Sequence, residues 1–140
     1  MTKKIAINII MGFLGVGKTT AILDLLKKKP AHENWAVLVN EFGEVGIDGA
    51  ILSAESGMTI SEVPGGCLCC VSGIPFQVAL SNLIAQKKPD RILIEPTGLG
   101  HPKNLIRSLT TEDYQLHTEL KASICLVDSR QLKNPRYQQH

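Results

Sequence analysis

The stretch Ile5-Ala6-Ile7-Asn8-Ile9-Ile10-Met11-Gly12-Phe13-Leu14-Gly15-Val16-Gly17-Lys18-Thr19-Thr20 decides how the rest of the chain is read. Ile5 to Met11 has the composition of a buried strand, Gly12 to Thr19 satisfies G-x-x-x-x-G-K-[ST], and a helical Thr20 to Lys29 follows. Strand, glycine-rich loop and helix in that order predict a P-loop that cradles the phosphates of a nucleoside triphosphate. Glycines are needed because successive backbone N–H groups must turn inward around the anion, where a Cβ would obstruct them. Lys18 is expected to reach the β- and γ-phosphates and to serve catalysis, and the Thr19 hydroxyl to take one position on Mg²⁺. Gly12, Gly15, Val16, Gly17 and Thr20 complete the expected nucleotide contacts, and the helix N-terminus adds its partial positive charge.

Outward from this segment, three more runs have strand character: Trp35–Asn40, Arg91–Glu95 and Ala122–Val127. Phe76, Ala79, Leu80, Leu83 and Ile84 follow the i, i+3, i+4, i+7, i+8 spacing of an apolar helix face, as Ile22, Leu25 and Leu26 do more briefly. Alternating strands and helices predict an α/β fold, a three-layer, mainly parallel sheet with helices on both faces and ligands beyond the carboxyl ends of the strands. Between the second and third runs lies a glycine-rich excursion from Gly43 to Gly73. It holds weaker strand candidates at Ala50–Ala54 and Met58–Val63, a hairpin or a small sheet extension.

The composition sets bounds. With 140 residues, 44% of them hydrophobic, the chain suits one domain. Fifteen basic residues against 13 acidic ones leave no charge excess that would favour nucleic acid. Lys3-Lys4 before an apolar run imitates a signal peptide, but Asn8 interrupts the run and no A-x-A site follows. No unbroken apolar stretch reaches membrane-spanning length, so a cytoplasmic protein without a bilayer anchor is expected. There the four cysteines are thiols or metal ligands rather than a disulfide framework.

Gly65-Gly66-Cys67-Leu68-Cys69-Cys70 is the densest chemical feature after the phosphate loop. Thiolates suit soft or borderline ions, and Cys67, Cys69 and Cys70 would leave a tetrahedral ion one ligand short, open to water, Glu44, Asp48 or a partner protein. A small-hydrophobe packing role and a regulatory dithiol are the alternatives. Cys125, alone inside an apolar run, is expected in the core. Glu95, at the carboxyl end of a buried strand, is the expected Mg²⁺-associated acid, and Gly98 the backbone donor that senses the γ-phosphate. Asn40 to Asp48 reads as a switch loop in which Glu41 and Asp48 position the attacking water or complete a metal shell. His32, His101, His117 and His140 have no spacing that joins them into a site, and His101-Pro102 marks a turn into a helix.

With GFLGVGKTT, NEFGEVGID, GGCLCC and IEPTGLG in this order, the chain resembles the CobW-like family of metallochaperone GTPases over Ile5 to about Val127-Asp128. The resemblance implies GTP and GDP binding with Mg²⁺, a zinc or cobalt ion at Cys67, Cys69 and Cys70, and delivery to a client metalloprotein. It places the phosphate loop on Gly12 to Thr19 and the Mg²⁺-associated acid on Glu95. A nucleotide-dependent homodimer is a further expectation. Family members continue into a base-reading N-K-x-D element and a C-terminal domain, neither of which is found before His140. The 140 residues therefore read as the N-terminal portion of a P-loop GTPase domain, incomplete at the C-terminus. A P-loop small-molecule kinase and a nucleotide-stabilised metal sensor or buffer are the competing readings.

Overall fold

Ile7, Ile9 and Ile10 are fully shielded from solvent, so the first strand, β1 (Ile5–Gly12), is buried on both faces, as a near-continuous apolar run requires. In the computed structural model, the residues described are 3–13, 15–39, 59–62, 74–96 and 102–135. They form β1, helix α1 (Lys18–Lys27), β2 (Trp35–Val39), β3 (Thr59–Glu62), α2 (Ile74–Lys87), β4 (Arg91–Glu95), α3 (Pro102–Leu109), α4 (Glu112–His117), β5 (Thr118–Leu120), β6 (Ile124–Leu126) and a 3₁₀ turn at Ser129–Gln131.

The sheet runs β3-β2-β4-β1-β5, with β6 also pairing with β1, and every one of these pairings is parallel. Side chains alternate across it with the period of two that strands impose. On one face Ile7, Ile9, Ala36, Leu38, Ile92 and Ile94 meet Phe76, Ala79, Leu80 and Leu83 of α2 and Leu105 and Leu109 of α3. On the other, Ile10, Val37, Val39 and Leu93 meet Ile22 and Leu26 of α1. Helices thus cover both faces, the expected three-layer arrangement; of the residues chosen by helical periodicity, Ile22, Leu26, Phe76, Ala79, Leu80 and Leu83 are buried against the sheet, and Leu25 and Ile84 are partly buried beside them.

Met58–Val63 proves to contain β3, which extends the sheet parallel to β2; Ala50–Ala54 lies outside the described residues. The expected Ala122–Val127 strand is shorter and is preceded by β5, Thr118–Leu120. Helix α3 begins at Pro102, where a turn into a helix is expected, and buries Leu105 and Leu109; α4, only six residues long, opens with the acidic pair Glu112 and Asp113, usual residues of a helix start. Cys125 corrects its expected core position: it is exposed. It lies on β6, at the outer side of β1, where Ile124 and Val127 beside it are exposed too.

The chain leaves β1 toward β2 through α1 on one face and leaves β4 toward β5 through α3 and α4 on the other. Because β1 and β4 are neighbours, their carboxyl ends face a crevice between diverging connections, the place where open α/β sheets hold ligands.

Candidate nucleotide site

The phosphate loop is built by backbone conformation. Gly15 has φ +76° and Gly17 φ +99°, both in the left-handed region that side chains with a Cβ disfavour. A Cβ at either would meet nothing within 4 Å, so the space in front of the loop is open. Gly12 serves a different purpose: a Cβ there would lie 2.8 Å from the Leu126 carbonyl oxygen and 2.8 Å from Val16 Cγ1. It is a close-packing glycine at the strand end. The Val16 amide donates to the Phe13 carbonyl at 3.2 Å and closes the turn.

Helix α1 starts at Lys18 with Gly17 as its cap, no side chain bonds the cap, and the first turn carries no acidic residue. Amide donors at that end therefore face no competing side-chain anion, which suits a phosphate. Thr19 is partly buried in this first turn and Thr20 exposed.

Lys18 is buried, with a relative exposure of only 7%. Its ammonium donates to the Gly12 carbonyl at 2.8 Å and to the Phe13 carbonyl at 3.0 Å, so the charge is held over the loop itself. A buried ammonium needs such acceptors.

Glu95 ends β4, in the strand beside β1, and is half-buried. Burial raises its carboxyl above the ordinary value of 4.5, and the Lys18 charge works in the opposite direction. The Lys18 charge thus acts on a partly desolvated carboxylate, and Thr19 follows Lys18 in the first turn; hydroxyl and carboxylate oxygens are the donor type that Mg²⁺ takes. The folded protein keeps the Glu95 proton to higher pH than the unfolded chain does. The stability linked to that proton is complete below 4.5 and is lost as pH rises through the folded value. Glu95→Gln is accordingly expected to raise the unfolding midpoint of the ligand-free chain at pH 7.5 and to leave it little changed at pH 4, a contrast measured by thermal melts at the two pH values.

Of the expected site residues, Gly12, Gly15, Val16, Gly17, Lys18, Thr19, Thr20 and Glu95 fall together at the carboxyl end of the sheet. Glu41, Asp48, Cys67, Cys69, Cys70 and Gly98 lie outside the described residues. Among the described residues no group of His, Cys, Asp or Glu is arranged to hold a metal ion, and no helix is long and apolar enough to cross a membrane. Leu126 escaped the sequence reading because its contact with Gly12 joins residues far apart in the chain.

Comparison with known proteins agrees with this geometry. The family model "CobW/HypB/UreG, nucleotide-binding domain" matches residues 6–140. The chain is 60% identical over 125 residues to the zinc chaperone YeiR of Escherichia coli (strain K12), covering 89% of this chain and 38% of that protein. It is 37% identical over 135 residues to the zinc chaperone CobW of Pseudomonas aeruginosa, covering 90% and 36%. With the zinc-regulated GTPase metalloprotein activator 1 of Dictyostelium discoideum it shares 28% identity over 144 residues, covering 90% and 30%. The chain therefore spans less than two fifths of the length of these relatives. No solved structure gives a significant match.

Proposed function

We propose, on the premise that this chain belongs to the CobW/HypB/UreG nucleotide-binding family, that it is the nucleotide-binding part of a GTP-hydrolysing metallochaperone whose cargo is zinc. The observation that carries the nucleotide half is the open glycine cradle at the carboxyl end of β1, with Lys18 buried over it and Glu95 at the neighbouring strand end. The zinc half is supported by the relatives, zinc chaperones at 60% and 37% identity.

In this reading Lys18 and the amides at the start of α1 bind the β- and γ-phosphates, and Thr19 and Glu95 hold Mg²⁺. When bound there, Mg²⁺ would supply charge that neutralises the phosphates. Lys18 holds its ammonium against the γ-phosphate as negative charge builds there, and Glu41 and Asp48 orient the attacking water. Gly98 reports through its amide whether the γ-phosphate is present. Cys67, Cys69 and Cys70 take the transition metal, zinc or alternatively cobalt, and a client metalloprotein receives it in the cytoplasm, with a nucleotide-dependent homodimer as the working assembly.

Nucleotide can drive metal release only if its bound states differ in metal affinity, since a ligand indifferent to two conformations shifts neither. Zinc titrated into the chain with GTP, with GDP and without nucleotide is expected to give unequal affinities. The Cys67/Cys69/Cys70→Ser variant should lose zinc while keeping GTP. Equal zinc affinities in the three states would end the coupled mechanism, and zinc retained by the triple variant would place the metal elsewhere.

A further inference from the structure

The outer partner of β1 changes register part-way along. Ile5, Ala6 and Ile7 pair with Thr118, Glu119 and Leu120, but Ile10, Met11 and Gly12 pair with Ile124, Cys125 and Leu126. Between the two ladders β1 spends Asn8 and Ile9, while the edge strand spends Lys121, Ala122 and Ser123. One extra residue is therefore accommodated on the edge, a bulge in a parallel pair. Bulges cluster beside functional sites because they re-aim the segment that follows.

The bulge has its own fastening. Lys121 N–H still reaches the Ile7 carbonyl at 2.8 Å, and the Ala122 carbonyl accepts from Asn8 Nδ2 at 2.8 Å, a side chain standing in for the ladder bond the extra residue displaces. Asn8 is itself held: its Oδ1 accepts from an Arg91 guanidinium nitrogen, and that guanidinium lies 5.0 Å from the centre of the Trp35 ring. Arg91 Nε is buried without a partner, so the guanidinium's orientation is set by Asn8 and Trp35.

Beyond the bulge, Leu126 reaches the end of β1. Its carbonyl oxygen would sit 2.8 Å and its Cβ 3.3 Å from a Cβ on Gly12, and its side chain packs on the Ile10, Ile22 and Leu26 cluster beneath α1. We infer that Asn8 is a positioning residue for the phosphate loop: with Arg91 it pins the one-residue bulge, and the register so fixed seats Leu126 against Gly12 where the loop begins. The inference rests on the nucleotide-binding reading above, and it assigns a role to Asn8 midway along β1, four residues before Gly12.

The test uses the 140-residue chain and three changes. Asn8→Val removes both side-chain bonds. Asn8→Asp keeps an acceptor for Arg91, which favours folding, but removes the donor to Ala122. Deleting Ala122 in the Asn8→Val background removes the extra residue itself, so that Gly12 and Leu126 can face each other in an uninterrupted ladder. Calorimetric binding of Mg²⁺ with a non-hydrolysable GTP analogue, well below each unfolding midpoint, is expected to weaken about tenfold or more in both single variants and to recover in the deletion. Cross-strand nuclear Overhauser contacts between Gly12 and Leu126 should vanish and return in step. A packing role alone would lower the melting point without moving affinity at a temperature where the chain is folded. If Asn8→Val does not fold, Asn8→Asp decides. Single variants that keep the Gly12–Leu126 contact and parental affinity, or a deletion that restores neither, overturn the inference. A parent chain that binds no nucleotide overturns the nucleotide reading instead, and the Gly12–Leu126 contact then still decides the register claim.

Discussion

Lys18→Ala is expected to weaken binding of Mg²⁺ and GTP roughly 10- to 100-fold, the effect of losing hydrogen bonds from a charged donor worth about 1.5–3 kcal/mol. Hydrolysis should fall further, since the same ammonium meets the charge that develops on the transferred phosphoryl group, and losing one preorganised donor costs about 10²–10³ in turnover. The geometry gives this residue a second task. Its ammonium bonds the Gly12 and Phe13 carbonyls while the side chain is buried, so alanine leaves two loop acceptors without that partner. The ligand-free variant should therefore also melt earlier, by about 1–3 kcal/mol of lost stability. Binding calorimetry and thermal melts on the same preparation separate the two losses. Parental GTP affinity in a folded Lys18→Ala chain would remove the phosphate-loop assignment.

Gly12→Ala should produce the largest loss of stability in the loop. The new methyl meets a backbone oxygen at 2.8 Å and the Val16 side chain at 2.8 Å, and the residue is held at φ +149°. Overpacking and backbone strain each cost about 1–3 kcal/mol, so a combined loss of about 2–6 kcal/mol is expected. Gly15→Ala and Gly17→Ala meet no neighbour within 4 Å, so only the left-handed backbone penalises them, by about 1–2 kcal/mol each. All three should impair nucleotide binding, because an altered loop no longer aims its amides at one point. The melting order distinguishes their reasons: Gly12→Ala lowest, the other two above it. Equal melting points would mean that the Leu126 contact carries no weight.

These two predictions and the Glu95 contrast concern one crevice, in which two opposed tendencies meet. Burial favours the protonated form of Glu95, and the Lys18 charge favours the ionised form. In ligand-free protein the half-buried carboxylate costs stability at neutral pH, and in the proposed function a divalent cation would offset that cost. A site that destabilises its own fold in order to hold a ligand is a common compromise.

Much of this is legible in the order of residues. Phe76, Ala79, Leu80 and Leu83 were recognisable as one helix face, and all four are buried against the sheet. Glu95 could be placed at a strand end because Ile92, Leu93 and Ile94 form a short apolar run that stops at it, and β4 ends there. Cys125 misled because an apolar neighbourhood in sequence does not reveal whether a strand is central or on the edge. Helix α3 was announced by the turn into a helix at Pro102, whereas α4 was missed because six residues offer too few repeats for a helical period to show.

By itself, then, the order of residues determined the strand, the glycine turn and the helix start around Lys18, together with the alternation that buries β1, β2 and β4 on two faces. Those are local properties: left-handed φ angles that glycine alone adopts cheaply, and side-chain periodicities of two and 3.6. Only the tertiary structure decided that β4 lies beside β1 and so brings Glu95 to Lys18, that the edge strand slips by one residue, and that Leu126 rests on Gly12. Each is a contact between segments distant along the chain, fixed when both faces of the sheet bury their apolar side chains at once, a condition that no window of neighbouring residues can express.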